Sequence, residues 1–398
     1  MKYAILVADG MADYPLDELG ARTPLEIAKT PNMDSIARRG VVGRANMIPK
    51  GMPCGSDIAN LSIFGYDPRR YYTGRGPLEA ANMGIRLGKD EVVFRCNLVT
   101  ASDDILTDYS AGHISTKEAE ILIDFLNKRL STKYLRFYAG VSYRHIMRLK
   151  PTKKNPSFTA ECKPPHDIIG KRISRNLPKG EGAQFLIDLM KMSKNILSSH
   201  EVNQVRVDLG ENPANMIWLW GQGRKPRIPT FYSKYKIKGS VISAVDLIKG
   251  IGKTIGLDVI EVPGATGFYD TNYRGKAEYG LRSLNNKDFI FVHVEAPDEA
   301  GHNGDIRAKI TAIERFDKEI VGRFLEYLER HRDFRILVLP DHPTPVKLRT
   351  HSRDAICFAM CGEGIKPDKK QSFSEFTSEK SPLNFKDGYK LIGEFIKR

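Results

Sequence analysis

Six residues scattered along the chain carry donors suited to divalent cations. Asp298 and His302 stand four apart in the run PDEAGHNGD, which brings both side chains to one side if the run turns helically. Asp341 and His342 are adjacent, His351 follows in RTHS, and Asp9 closes the run AILVADG. Carboxylates and imidazoles without a cysteine suit Zn²⁺ or Mn²⁺ and argue against a soft thiolate site. The set exceeds what one tetrahedral ion requires. Two ions about 4 Å apart would use all six, and paired ions recur in phosphoryl transfer. The isolated His200 and His331 are read as surface residues.

A nucleophile for such chemistry is offered by PCGSDIANLSIFGYDP, where Ser56 lies between Gly55 and Asp57 ahead of a predicted helix. A glycine before it allows close backbone approach, and a helix N-terminus favours an anionic phosphate beside the hydroxyl. Taken alone, the same position reads as a helix cap. Cys54 is a rival nucleophile, but a thiolate beside Zn²⁺ or Mn²⁺ would tend to bind the metal instead. A serine at a metal needs no separate base, because coordination lowers the hydroxyl pKa. The chain has no G-x-S-x-G elbow, which disfavours a hydrolase triad.

Strands alternating with helices must position these groups, an α/β pattern with a largely parallel sheet. Tyr3–Ala8, Asp288–Val294 and Arg335–Leu339 read as buried strands, being short, β-branched or aromatic, and bounded by turn residues. Each runs into an acid: Asp9, Asp298 or Asp341. Ligand and catalytic groups gather beyond the carboxyl ends of parallel strands, so the three aspartates are expected to converge. Amphipathic helices are predicted over Lys117–Arg129, Gly182–Met192, Lys309–Glu329 and Gly388–Ile396. Pro24 after Thr23 and Pro31 after Thr30 begin two more, the second running to Arg39. The polar stretch Lys366–Lys380 is expected to be a surface loop, and no internal repeat is evident.

At 398 residues the chain exceeds one ordinary core and predicts two or three domains. With 41% hydrophobic and 28% charged residues, a soluble globular protein is expected. The apolar run Ala4–Ala8 is too short for a signal peptide, and no stretch approaches a membrane span. Five scattered cysteines, with no C-x-x-C pair, indicate neither disulfides nor a cysteine zinc site. A cytoplasmic protein with no membrane partner is the expectation. The net charge is +14, and Arg144 to Lys179 contributes +8 of it, ten Lys/Arg against Glu161 and Asp167, in a segment broken by prolines. Such a wall would steer a small anion. Without a zinc finger, RNP sequence or basic heptads, nucleic acid is not the expected partner.

The motifs VADGMADYP, PCGSDIANLSIFGYDPRRYYTGRGPLEAANMG, LTDYSAGHIS, GVSYRHIM, PPHDIIGKR, WLWGQGRKP, TGFYDTNYRGKA, HVEAPDEAGH and LPDHPTPVKLRTHS span positions 7 to 352. In their order they resemble the alkaline phosphatase superfamily, and within it the archaeal type of cofactor-independent phosphoglycerate mutase. The resemblance implies an alkaline-phosphatase-like, mostly parallel sheet flanked by helices, with a smaller inserted α/β substrate domain. The expected catalytic domain is residues 1–90 with 236–398, and the insert 91–235. It implies that Asp298, His302 and His351 hold one metal, and that Asp9, Ser56, Asp341 and His342 hold the other. Ser56 would become phosphorylated. His113, Arg144, His145 and Arg224 would grip the phosphoglycerate.

The implied reaction interconverts 2-phosphoglycerate and 3-phosphoglycerate in glycolysis and gluconeogenesis, with two divalent ions and no 2,3-bisphosphoglycerate. Mn²⁺ is the first expectation, with Zn²⁺, Co²⁺ and Mg²⁺ as alternatives; the oligomeric state is left open. Related readings that share the metals and Ser56 are a phosphatase, a phosphopentomutase and a homoserine-kinase-like phosphotransferase. A non-catalytic phosphate-binding protein would keep the basic wall but would not need seven ligands. After THS the chain reads RDAICFAM, where a PVP-type strand is common in the family.

Overall fold

The computed structural model describes residues 1–152, 159–331, 333–369 and 372–397. Lys153, Lys154 and Pro156 of the basic segment, and Lys370 of the polar stretch, lie outside the described residues. The strands run in chain order β1 (Lys2–Ala8), β2 (Val41–Ala45), β3 (Val92–Ser102), β4 (Ile105–Asp108), β5 (Leu135–Tyr138) and β6 (Arg144–Leu149). They continue with β7 (Met216–Arg224), β8 (Gly239–Ile242), β9 (Asp258–Val259), β10 (Phe289–Val294), β11 (Phe334–Leu339), β12 (Ile356–Gly362) and β13 (Asn384–Phe385). The chain divides into two compact units, Met1–Tyr72 with Ile228–Arg398, and Thr73–Arg227.

The first unit holds an eight-stranded sheet in the order β13-β2-β12-β11-β1-β10-β8-β9. β12 alone runs against the others. From Tyr3 to Ala8, β1 is buried on both faces, which is why it reads as a continuous apolar run. Its register places Val7 beside His293 of β10 and Leu339 of β11. The carboxyl ends of the three strands are therefore level, and Asp9 follows directly, its N–H donating to Val294 O at 2.9 Å.

Helices pack on this sheet through narrow apolar faces. The helix Pro31–Arg39 buries Met33, Ile36 and Ala37. Thr23 and Glu26 form a capping box on Pro24–Ile27. Thr30 does not cap its helix. Asp317 supplies that cap from elsewhere, taking the N–H groups of Asn32 and Met33 at 3.2 and 2.7 Å. The single helix expected over Lys309–Glu329 runs as Ile306–Phe316, a π turn at Asp317–Val321, and Gly322–Glu329. The π turn carries Asp317.

The stretch Lys366–Lys380 is not simply a surface loop. It contains the helix Glu375–Glu379 and buries Phe373, Ser374 and Ser378. Glu375 accepts hydrogen bonds from the Asp13 N–H and the Thr23 hydroxyl. Composition suggested exposure, and Phe376 is indeed exposed, but Phe373, Ser374 and Ser378 face inward.

The second unit is built on β3, which pairs with β4, β6 and β7, while β6 also pairs with β5. All these pairings are antiparallel, so the parallel character lies in the first unit. Val92, Phe94, Cys96 and Leu98 alternate onto one face. They share a core with Leu122, Ile123 and Leu126 of the helix Thr116–Leu130 and Leu186 and Met190 of Ala183–Leu197. On the other face, Val93 packs with Ile146 and with Ala80 of the helix Arg75–Asn82. That contact explains why residues 73–90, placed by sequence with the first domain, cluster with the second unit.

Candidate active site

The carboxyl ends of β1, β10 and β11 deliver the expected acids. Asp9 follows β1, Asp341 follows β11 within two residues, and Asp298 lies in the first turn of the helix Ala296–Asn303 after β10. Asp9 and Asp341 are almost wholly buried. Gly10 makes the convergence possible. Its φ is +60°, and a Cβ there would lie 2.6 Å from both Asp298 Oδ1 and Thr344 Oγ1, so only glycine fits in conformation and in space.

His302 Nε2 lies 3.3 Å from Asp298 Oδ2 and 3.0 Å from His351 Nε2, which is 3.5 Å from Asp298 Oδ1. This joins the three residues expected to act together. His342 Nε2 lies 3.1 Å from Ser56 Oγ, 3.5 Å from Asp9 Oδ1 and 3.6 Å from Asp341 Oδ2. Its ring also stands 4.1 Å from that of His351, centroid to centroid. Grouped by which donor atoms could surround one ion, the clusters are Asp298, His342 and His351, and Asp9, His293 and Asp341. His342 therefore sits where two donor groups meet.

Ser56 is the first residue of the eight-residue helix Ser56–Ile63, which has Gly55 before it and no side-chain cap. Its hydroxyl faces His342 rather than the helix backbone. One turn on, Asn60 Nδ2 donates to Ser56 O and Asp341 Oδ2, both at 2.8 Å, fixing the serine turn to the β11 acid. Asp341 Oδ1 accepts from the N–H groups of Gly10 and His342 at 3.2 and 2.9 Å. Thr344 donates its hydroxyl to Asp298 Oδ1 and stands 3.3 Å from His342 Nδ1. Behind it, Lys309 Nζ reaches Thr344 O at 2.9 Å and Asp13 Oδ2 at 2.7 Å.

Electrostatics mark the cluster as built for cations. Burial, reinforced by the Asp341 and Asp298 carboxylates, pushes Asp9 well above the usual carboxylate range. Burial also opposes ionisation of Asp341 and Asp298. The contacts of Asp341 with His342 and His293, and of Asp298 with His302 and His351, nevertheless hold both below that range. Burial works against the charge on His302, yet Asp298 raises it to about 9. His293 likewise rises to about 9 against its burial, through Asp341 and Glu295. Asp9 Oδ1 and His293 Nε2 are buried without a hydrogen bond. Orphaned oxygen and nitrogen atoms among carboxylates are what a divalent ion would satisfy, so the donor set fits one.

Sequence reasoning missed His293. It lies inside the apolar run FIFVHV, and a polar residue one before the end of a buried strand is the only signal it gives. Glu295, just past that strand, and Lys276, within the helix Tyr273–Leu284, pair at 2.7 Å in burial and were also missed. Of the lone histidines, His200 caps the helix Glu201–Asp208 and His331 contacts Tyr327 O, both half-buried.

In the second unit, His113 holds a φ of +51° and stands 6.1 Å from the Tyr143 ring. Arg144 is exposed, its guanidinium 5.1 Å from the same ring. His145 goes elsewhere. Successive strand residues point to opposite faces, and His145 is buried on the core side, Nδ1 accepting from the Gly140 N–H at 3.0 Å. Burial, with Arg95 and Arg144 adding, lowers it to about 3. It is a core histidine beside, not on, the Arg144 face. Arg224 is exposed at the end of β7 opposite Val92, whereas Arg144 is opposite Asn97. That separates their backbones by roughly 17 Å along β3 at strand rise.

A family profile for 2,3-bisphosphoglycerate-independent phosphoglycerate mutase matches residues 37–203. The chain is 53% identical to the protein of that name from Methanosarcina mazei, covering 100% of both chains. It is 52% identical to 2,3-bisphosphoglycerate-independent phosphoglycerate mutase 2 of Methanothermobacter thermautotrophicus, over 98% of this chain and 96% of that one. Among solved structures, a protein from Pyrococcus horikoshii superposes with a TM-score of 0.82 at 32% identity, covering 99% of this chain and 96% of that one. The cofactor-independent phosphoglycerate mutase of Thermoplasma acidophilum gives 0.67 at 27%, covering 100% and 99%. No helix among the described residues is long and apolar enough to cross a membrane. With relatives this close over their whole length, the chain belongs to the 2,3-bisphosphoglycerate-independent phosphoglycerate mutase family.

Proposed function

We infer that the chain is a cytoplasmic isomerase that interconverts 2-phosphoglycerate and 3-phosphoglycerate through a phosphoserine at Ser56. Two divalent ions would be held by Asp298, His302 and His351, and by Asp9, Ser56, Asp341 and His342. The observation that carries this reading is Ser56 Oγ, at a helix N-terminus, 3.1 Å from His342 Nε2 within the carboxylate–imidazole cluster. When bound, the ions lower the pKa of the serine hydroxyl and neutralise the oxygens of the transferring phosphoryl group. The Ser56 hydroxyl loses its proton and its oxygen forms a bond to phosphorus as the bond to one glycerate oxygen breaks, that oxygen taking up a proton in exchange. The other glycerate hydroxyl then attacks the phosphoserine, loses its proton and frees Ser56. The N–H groups at the start of Ser56–Ile63 favour the anion throughout.

Holding the glycerate is assigned to the second unit, through His113, Arg144 and Arg224, with His145 in the core next to Arg144. Incubation of the Mn²⁺-loaded protein with 3-phosphoglycerate alone should give 2-phosphoglycerate with little free phosphate. Free phosphate as the main product would make it a phosphatase instead. In the same assay Arg144→Ala should lose about 2–4 kcal/mol of a charge-assisted contact to the glycerate carboxylate, or roughly thirty- to several-hundred-fold in the return step. Ser56 would still accept phosphate, and free phosphate per turnover should rise. A variant with unchanged rate and product ratio would remove Arg144 from the site.

Metal binding should also depend on pH. His302, held near 9 by Asp298 against its burial, must lose its proton to become a ligand. Apparent affinity should therefore climb about tenfold per pH unit for each proton displaced, from neutral pH up to about 9, then level off. Chelator competition across that range reads it, and a flat profile would take His302 out of the ligand set.

A further inference from the structure

Three histidines in the first unit share one arrangement. His302 Nδ1 contacts Arg349 O at 3.0 Å, His342 Nδ1 lies 3.3 Å from Thr344 Oγ1, and His293 Nδ1 lies 3.2 Å from Glu295 Oε1. Each ring has its Nδ1 engaged and its Nε2 turned into the acid cluster. A ligating imidazole is ordinarily oriented in this way, its second nitrogen donating to a carbonyl or carboxylate. Two of the three are already assigned to ions; His293 is not.

The surroundings of His293 fix its tautomer. Glu295 Oε1 also takes the Ser243 hydroxyl at 2.7 Å and the N–H groups of Ala244 and Val245 at 3.0 and 3.2 Å. Its Oε2 takes Lys276 Nζ at 2.7 Å. An ionised carboxylate held this way only accepts, so Nδ1 must carry the hydrogen. In neutral imidazole Nε2 is then a lone pair. It points at Asp9 Oδ2, 3.3 Å away, and Asp341 Oδ2, 3.8 Å away, in complete burial and with no hydrogen bond. Asp341 Oδ2 also takes the Asn60 amide at 2.8 Å, but His293 Nε2 and Asp9 Oδ1 have no hydrogen bond. Two carboxylates converging on an imidazole in burial call for a positive charge among them, which a divalent ion supplies in place of a proton on Nε2.

We propose that His293 is a direct ligand of the ion held by Asp9 and Asp341, with Glu295 and Lys276 as the supports that orient it. This rests on the two-metal reading above and adds a fifth protein donor to one of the two sites. Glu295 aims Nε2 at the site, and Lys276 keeps Glu295 ionised by pairing with it while also holding His293 O at 2.9 Å. The consequence is an ion with two imidazoles rather than one, which biases the site toward borderline ions such as Mn²⁺, Co²⁺ or Zn²⁺ and away from Mg²⁺.

Titration of the metal-free protein with Co²⁺, followed by its visible d–d absorption, separates the outcomes. The parent should bind two ions per chain, and fewer would overturn the two-metal reading together with this one. His293→Asn should weaken one of the two ions by about a hundredfold or more and shift its spectrum, with Glu295→Gln weakening the same ion by about tenfold. An H293N protein that binds both ions with unchanged affinity and spectrum would overturn the proposal and leave the two-metal reading standing. A measurement on the parent covers the case in which H293N does not fold. The Co²⁺-loaded protein should show four strongly hyperfine-shifted, exchangeable imidazole N–H resonances, from His293, His302, His342 and His351. Three would exclude His293 as a ligand.

Discussion

Ser56→Ala is expected to eliminate 2-phosphoglycerate formation from 3-phosphoglycerate, with a loss of at least about 10⁴-fold, as for other enzymes stripped of a covalent nucleophile. The fold should tolerate the change. Among the described residues no backbone hydrogen bond depends on the Ser56 side chain, and the helix Ser56–Ile63 is anchored by Asn60 through Ser56 O and Asp341, neither of which alanine disturbs. Cobalt or manganese binding should survive with a modest loss, since only one donor of the cluster is removed. Rapid-quench peptide mass spectrometry should find phosphate on Ser56 in the parent during turnover and none on this segment in S56A. An S56A protein that retained more than a few per cent of the mutase rate would rule out a phosphoserine. Phosphate on Cys54 would move the nucleophile two residues upstream.

How much of this site could be read from sequence follows from where each residue sits. Asp9, Asp298 and Asp341 were legible because each ends an apolar strand, and the level carboxyl ends of β1, β10 and β11 turn that pattern into proximity. His302 was legible through its spacing from Asp298, realised on the helix Ala296–Asn303. His342 and His351 were legible only as residue types, since nothing local says that the chain after β11 folds back toward Asp298. His293, Glu295, Lys276 and Thr344 had no such signal. His293 sits inside a strand and Lys276 inside a helix, Glu295 and Thr344 in the chain between elements, and their chemistry appears only once strands and helices are paired. His145 shows the converse: the family resemblance, with GVSYRHIM among its motifs, implied a substrate contact, but strand alternation turns the side chain inward. In the fold, the π turn at Asp317–Val321 was hidden within a continuous helical periodicity, and it exists where Asp317 caps Pro31–Arg39. That is a tertiary contact, invisible along the chain.

Lys309 belongs with those hidden residues, and its replacement is expected to have the largest effect on stability. Lys309 and Asp13 are both wholly buried and pair at 2.7 Å. Lys309 also satisfies Thr344 O and Ala12 O at 2.9 and 3.3 Å, and Asp13 accepts from the N–H groups of Tyr14 and Val346 at 2.8 and 3.1 Å. The pair thus ties the chain after β1, the helix Ile306–Phe316 and the chain after β11, the last of which carries His342 and Thr344. Lys309→Met preserves the volume of the stem but leaves a carboxylate buried without its counter-charge, a loss of about 3–5 kcal/mol. At about 2–4 °C per kcal/mol for a unit of this size, the thermal midpoint should fall by roughly 6–20 °C. Adding Asp13→Asn restores neutrality and keeps an acceptor for the Val346 N–H, so K309M/D13N should recover most of the loss, though not all, because Thr344 O and Ala12 O still lack a donor. Because Thr344 also donates to Asp298, metal affinity should fall in K309M and return in the double variant. A K309M protein within about 1 kcal/mol of the parent would show that the pair contributes no more than an exposed one. A double variant no more stable than K309M would place the loss in the unsatisfied carbonyls rather than in the stranded charge.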